Sequence, residues 1–128
     1  MSIEYEVDHE RRLVRATGRG VITPDALFVY QKAAWSDPAV AGYDELVDMS
    51  GVEDVEGPSP SNVSALADFS AKMDASAKPT KLAIVASDDL LFGLGRMYQA
   101  YREMKTGSKK EVAVFRSMPD ALAWLERT

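Results

Sequence analysis

The chain contains no cysteine. Disulfides, a thiol nucleophile and thiolate metal sites are therefore excluded, and the composition suits a reducing, cytoplasmic setting. Histidine occurs once, at His9, in a polar Asp8-His9-Glu10 segment that reads as a turn. No G-x-S-x-G elbow supplies a nucleophile to pair with it, so serine hydrolase chemistry is not expected. Basic residues are also in short supply: 15 Lys and Arg against 20 Asp and Glu leave a formal net charge of −5. The only adjacent basic pairs, Arg11-Arg12 and Lys109-Lys110, are expected to be solvated flanks rather than a groove for nucleic acid. No apolar run approaches the roughly 20 residues of a membrane span, and Met1 to Glu10 lacks the apolar core of a signal peptide.

The sequence does have an ordinary globular balance, with 46% hydrophobic and 27% charged residues over 128 positions. That length suits a single domain spanning 1–128 with one core. IEYEV alternates, placing Ile3, Tyr5 and Val7 on one strand face, and RLVRATG is its expected hairpin partner. Thr23-Pro24-Asp25 starts a helix that runs to about Trp35, with Thr23 as cap and Pro24 in the first turn. ELVDM, Glu45 to Met49, is the next strand. Ser59-Pro60 repeats the helix-start signal, followed by Val63, Leu66, Ala67, Ser70 and Met73 at helical spacing.

After Lys78-Pro79, KLAIVAS is apolar on both faces at its centre, as a central parallel strand requires. Ser87-Asp88-Asp89 opens a helix striped by Leu90, Leu94, Met97, Tyr101 and Met104. EVAVF is a last buried strand, and Ser117 caps a final helix carrying Leu122 and Leu125. The order β-β-α-β-α-β-α-β-α predicts an α/β fold. It combines a single, mostly parallel sheet of about five strands with an N-terminal antiparallel hairpin and four helices.

Few motifs carry chemistry. Gly93-Leu94-Gly95 lacks the third glycine and the strand-to-helix placement of a dinucleotide loop, and its glycines fall inside a helix, where close packing is the expected reason. Gly18-Arg19-Gly20 is expected to be a loop between strand and helix. The acids Asp44, Glu45, Asp48, Glu53, Asp54 and Glu56 show no EF-hand spacing and read as a solvated edge. No metal site or cofactor is expected. Parallel strands deliver their carboxyl ends to one edge, so Ser50, Ser87 with Asp88 and Asp89, and Arg116 with Ser117 are expected to be neighbours there. Leu91, Phe92, Arg96 and Tyr98 lie on the helix beside them. Ser50, Asp88, Leu91, Phe92, Arg96, Tyr98 and Arg116 together form the candidate surface for a ligand or partner.

The segments GRGVIT, DMSGV, KLAIVAS, FGLGRMYQAYRE and VFRSMPDALAWL resemble uncharacterised bacterial STAS/SEC14-like proteins, and LVDMSGV with the element order resembles the SpoIIAA-like superfamily. That superfamily holds the STAS domains of anti-sigma-factor antagonists, which share an architecture with the lipid-binding SEC14 type. The resemblance to the uncharacterised proteins covers nearly the whole chain. The family's D-S-S-G phosphoacceptor motif would align with Glu56, Gly57, Pro58 and Ser59. Proline stands at the acceptor position, and Ser59 is expected to cap the next helix, so the phosphorylation switch is not carried over. The resemblance implies a non-enzymatic binding or regulatory module acting on a protein partner or as a homodimer. The alternative is a carrier or sensor of a small amphipathic ligand. A third reading is an enzyme at the strand ends, for which no nucleophile, base or metal set is identifiable.

Overall fold

The computed structural model describes residues 3–57, 59–73, 79–104 and 109–126. Five strands, β1 (Ile3–Asp8), β2 (Leu13–Ile22), β3 (Asp44–Val55), β4 (Thr80–Val85) and β5 (Lys110–Phe115), form one sheet in sequential order. β1 runs antiparallel to β2, and the remaining pairings are parallel. Four helices, α1 (Pro24–Trp35), α2 (Pro60–Met73), α3 (Asp89–Glu103) and α4 (Met118–Glu126), complete the chain, with a short 3-10 turn at Pro38–Val40. No helix among the described residues is long and apolar enough to cross a membrane.

Sequential parallel strands with right-handed crossovers must carry all three connecting helices on one face. Accordingly α1 packs on α2 and α2 on α3, whereas α4 covers β3, β4 and β5 from the opposite side. Strand alternation supplies both faces of β4. Leu82 and Ile84 join Val112 and Tyr98 on the α3 side, while Ala83 and Val85 join Leu46 and Ala121 on the α4 side. Each such large aliphatic side chain contributes roughly 1.5–3 kcal/mol on burial.

The helix starts follow local chemistry. Thr23 Oγ1 accepts from Ala26 N at 3.2 Å, Ser59 Oγ from Asn62 N at 3.1 Å, and Ser117 Oγ from Asp120 N at 3.4 Å. At α3 the cap is Asp88, whose Oδ1 accepts from Leu90 N at 2.8 Å and Leu91 N at 3.2 Å, and not Ser87. A carboxylate there also meets the positive end of the helix dipole, which favours it over a serine. Pro58 and Lys78 lie outside the described residues.

Two sequence expectations are corrected by β3. The strand continues six residues beyond Met49, to Val55, because β2 runs alongside it and supplies ladder partners as far as Ile22. The expected strand-to-helix turn thus shrinks to the residues around Gly57, whose φ of 63° is left-handed. Gly18-Arg19-Gly20 is likewise strand rather than loop, and the register shifts on either side of it. An added Cβ at Gly18 would lie 2.8 Å from Met49 Sδ and 2.9 Å from Val52 Cγ2, so glycine leaves room there for the side chains of β3.

In α3 the two glycines separate in role. A Cβ at Gly95 would lie 3.1 Å from Val114 Cγ1 and 3.6 Å from Ile84 Cγ2, whereas a Cβ at Gly93 would meet nothing within 4 Å. Gly93→Ala is therefore expected to stabilise the protein by about 0.5–1 kcal/mol through helix propensity alone. At Gly95 the same gain is offset by crowding against the sheet. Denaturant titration of both variants checks this, and equal gains would contradict the close approach.

Candidate functional site

The α1–α2–α3 layer packs on the sheet in several places, Ala34 against Val14 and Ala16 and Leu91 against Ile22 and Val52 among them, and leaves space between them. At one end α3 comes in closely over β4 and β5 through Gly95. At the other, α1 is fastened to β3 by the side chains of Tyr30 and Glu45. Between these anchors lies a cavity of about 150 Å3. Val47, Leu82 and Ile84 form its floor, with Leu66 from α2 and Leu94 from α3 above them. Its exposed rim includes Gly57 and Asn62, where Asn62 Nδ2 donates to Gly57 O at 2.8 Å and ties the loop to α2.

Polar groups gather at the inner end. Glu45 occupies the β3 position facing the helices, since it alternates with Val47 and Met49. Its Oε2 accepts from Tyr30 Oη at 2.6 Å and from Trp35 Nε1 at 3.3 Å, and its Oε1 lies 3.2 Å from Lys110 Nζ. The side chains of Lys110 and Glu45 are only 6% and 5% exposed. The Lys110 ammonium also rests 4.0 Å from the centre of the Trp35 ring. Burial, and then the Glu45 charge, push the Tyr30 phenol well above its ordinary range.

Tyr98 enters from α3, and its hydroxyl accepts from Arg102 Nη1 at 2.8 Å. Burial raises its phenol too, with the Arg102 charge opposing the shift. Ser70 of α2 lines the same end and is 1% exposed, yet its Oγ has no partner at hydrogen-bonding geometry. It does lie near enough to Tyr98 to favour the ionised phenol slightly. Leaving such a hydroxyl buried and unsatisfied costs about 1–3 kcal/mol.

The candidate surface read from the sequence divides in the structure. Arg116 Nη1 bonds Asp89 Oδ1 at 2.6 Å and Ser87 O at 3.2 Å, and its guanidinium stacks 4.1 Å from the centre of the Phe92 ring. Asp88 is the adjacent cap. Arg96 is exposed, and Ser50 is exposed in mid-strand, where its Oγ donates to Asp48 Oδ1 at 2.6 Å. Leu91 and Tyr98 do not belong to an outer surface. Leu91 is buried with Ile22, Val52 and Ala86, and Tyr98 lines the cavity, because the inward stripe of α3 passes through 91, 94, 95 and 98. The half-exposed leucine is Leu90.

The other acidic and basic expectations also change. Glu45 and Lys110 are buried together rather than solvated, since both ride strand positions facing the helix layer. Asp44 Oδ1 accepts from Lys81 N at 2.9 Å. Among the described residues no group of three or more His, Asp or Glu side chains is set to hold a metal ion. His9 sits in its expected exposed turn, with Nδ1 2.8 Å from Tyr43 Oη.

Sequence reasoning missed Glu45, Tyr30, Lys110 and Ser70. For two of them a signal existed. Glu45 and Lys110 each share strand parity with apolar residues, Val47 and Met49 in one case and Val112 and Val114 in the other. An acid and a base on buried faces two strands apart imply a compensated pair.

Lys110→Met is expected to cost about 3–5 kcal/mol, because it leaves the Glu45 charge buried without its cation. A Lys110→Met/Glu45→Gln double variant should be less costly than the sum of the single changes, as measured by urea unfolding. The tyrosines give an alkaline test. The raised phenol values mean the folded chain holds more protons than the unfolded chain above about pH 10, so stability falls as pH rises there. Of five tyrosines, Tyr30 and Tyr98 should stay neutral until the protein unfolds. Reversible ionisation of all five in the native state, followed by ultraviolet absorbance, would contradict their burial.

No family model matches this sequence, and no curated protein does either. Among solved structures, the chain is similar to an uncharacterised protein of the DUF3478 family from Shewanella loihica, described as having a SpoIIAA-like fold. The likeness has a TM-score of 0.60 at 17% identity and covers 97% of this chain and 94% of that one. The chain therefore has the SpoIIAA-like fold, as its element order and segments had suggested.

Proposed function

We propose that this protein is a non-enzymatic binding module that takes a small apolar or amphipathic molecule between its three-helix layer and its sheet. The observation that supports this most is the cavity itself: apolar over most of its wall, with Tyr30, Glu45, Ser70 and Tyr98 toward one end and the rim of Gly57, Ser59 and Asn62 at the other. Apolar space of about this size admits benzene-sized molecules. Mostly apolar walls with a few convergent polar groups are also the usual form of a small-ligand site. Nothing at the polar end is poised as a base. Glu45 already accepts from Tyr30, Trp35 and Lys110, and both phenols are raised away from ionisation.

A second reading, a docking surface for a protein partner or a second copy, draws on the outer end of α3. There half-exposed Leu90 stands at the same helix start as the Arg116–Phe92 stack. Such a surface would sit next to the cavity wall, since Leu91 faces inward from the same turn. Mass spectrometry under native conditions, on protein purified from its source cells without detergent, separates the two. The expected result is a monomer carrying a low-molecular-weight, non-covalent adduct. A ligand-free mass with a co-purified protein or a stable dimer would favour the surface instead.

A further inference from the structure

Ser70 is the cavity-lining residue whose fully buried hydroxyl makes no hydrogen bond of good geometry among the described residues, the polar neighbour it does approach being the Tyr98 hydroxyl. Serines inside helices often return a bond to the carbonyl one turn back, and this one does not. Tyr98 faces the same end from α3. Its oxygen is engaged as acceptor by Arg102 Nη1 at 2.8 Å, which leaves its own proton to give. The third hydroxyl at this end, on Tyr30, is committed to Glu45. Two O–H groups from different helices thus line one end of a cavity whose wall is mostly apolar.

Resting on the reading of this cavity as a ligand site, we propose that its ligand is a compact apolar molecule ending in an uncharged carbonyl oxygen, held by Ser70 and Tyr98. A carbonyl oxygen carries two lone pairs and accepts from both hydroxyls at once. An anionic head is disfavoured by what surrounds the site. The Glu45 carboxylate already stands at this end, and Lys110 is engaged in balancing it. A ligand carboxylate would lose its hydration beside a like charge. A purely aliphatic ligand would leave Ser70 as it is now, buried with only a poorly aligned approach to Tyr98. A carbonyl removes that deficit without adding charge.

Calorimetry on the full chain with three probes of similar size tests this: isopropylbenzene, acetophenone and benzoate. Ser70→Ala is the informative variant, because it deletes a hydroxyl that makes no bond of good geometry and should leave folding intact. Acetophenone affinity is expected to fall about three- to tenfold in Ser70→Ala, the ratio that one ordinary hydrogen bond is worth, with isopropylbenzene affinity unchanged. Tyr98→Phe, checked first for native circular dichroism, should show the same selective loss. Benzoate should bind more weakly than acetophenone.

If acetophenone and isopropylbenzene both bind and neither responds to Ser70→Ala, the carbonyl assignment is overturned while the cavity remains a ligand site. Tighter binding of benzoate than acetophenone would overturn the uncharged head. If none of the probes binds, the cavity reading falls and this inference falls with it.

Discussion

Three consecutive right-handed crossovers constrain everything on one face of this sheet. Because β2, β3, β4 and β5 lie side by side in chain order, α1, α2 and α3 have no choice of side and form a single row. A twisted sheet cannot meet such a row evenly along its length. Here the layer is drawn down by the missing side chain at Gly95 and by the Tyr30–Glu45 bond, among other contacts. The cavity is the space those contacts leave between them. On the other face, α4 packs directly on β3, β4 and β5 through Ala121 and its neighbours.

The α1 anchor is energetically demanding. Burying a carboxylate costs several kcal/mol even after relaxation, and only good geometry with full hydrogen bonding offsets it. Glu45 receives two neutral donors and a cation, and the cation is itself held over the Trp35 ring. This network fixes where α1 ends relative to β3, and so fixes the inner wall of the cavity. Ser70 is the exception nearby, a buried hydroxyl that the fold does not satisfy. An uncompensated polar group next to a fully compensated one is informative, because the same interior shows that compensation was achievable.

Much of the architecture was legible in the sequence because it rests on local signals. Thr23, Ser59 and Ser117 each act as the cap their spacing indicates, and the two-sided apolar segment at β4 lies in the sheet interior. By contrast β5, expected to be buried, is the edge strand, with only Val112 buried. The length of β3 was not legible. Ser50 to Asp54 is too polar and glycine-containing to read as strand, and it is held there by a partner strand far earlier in the chain. The site was harder still. Leu91 and Tyr98 were correctly placed on α3, but which way that helix turns its stripe depends on Gly95 meeting Val114. Glu45 and Lys110 are 65 residues apart, and only the strand order reveals that they meet.

A crystal structure of the protein under xenon pressure tests the central claim most directly. Xenon seeks preformed apolar space of benzene size without needing any particular head group. The account predicts a xenon atom between Val47, Leu66, Ile84 and Leu94, with the α1–α3 layer unmoved. Xenon bound only on the outer surface near Leu90 and Phe92, with side chains filling the interior, would contradict it.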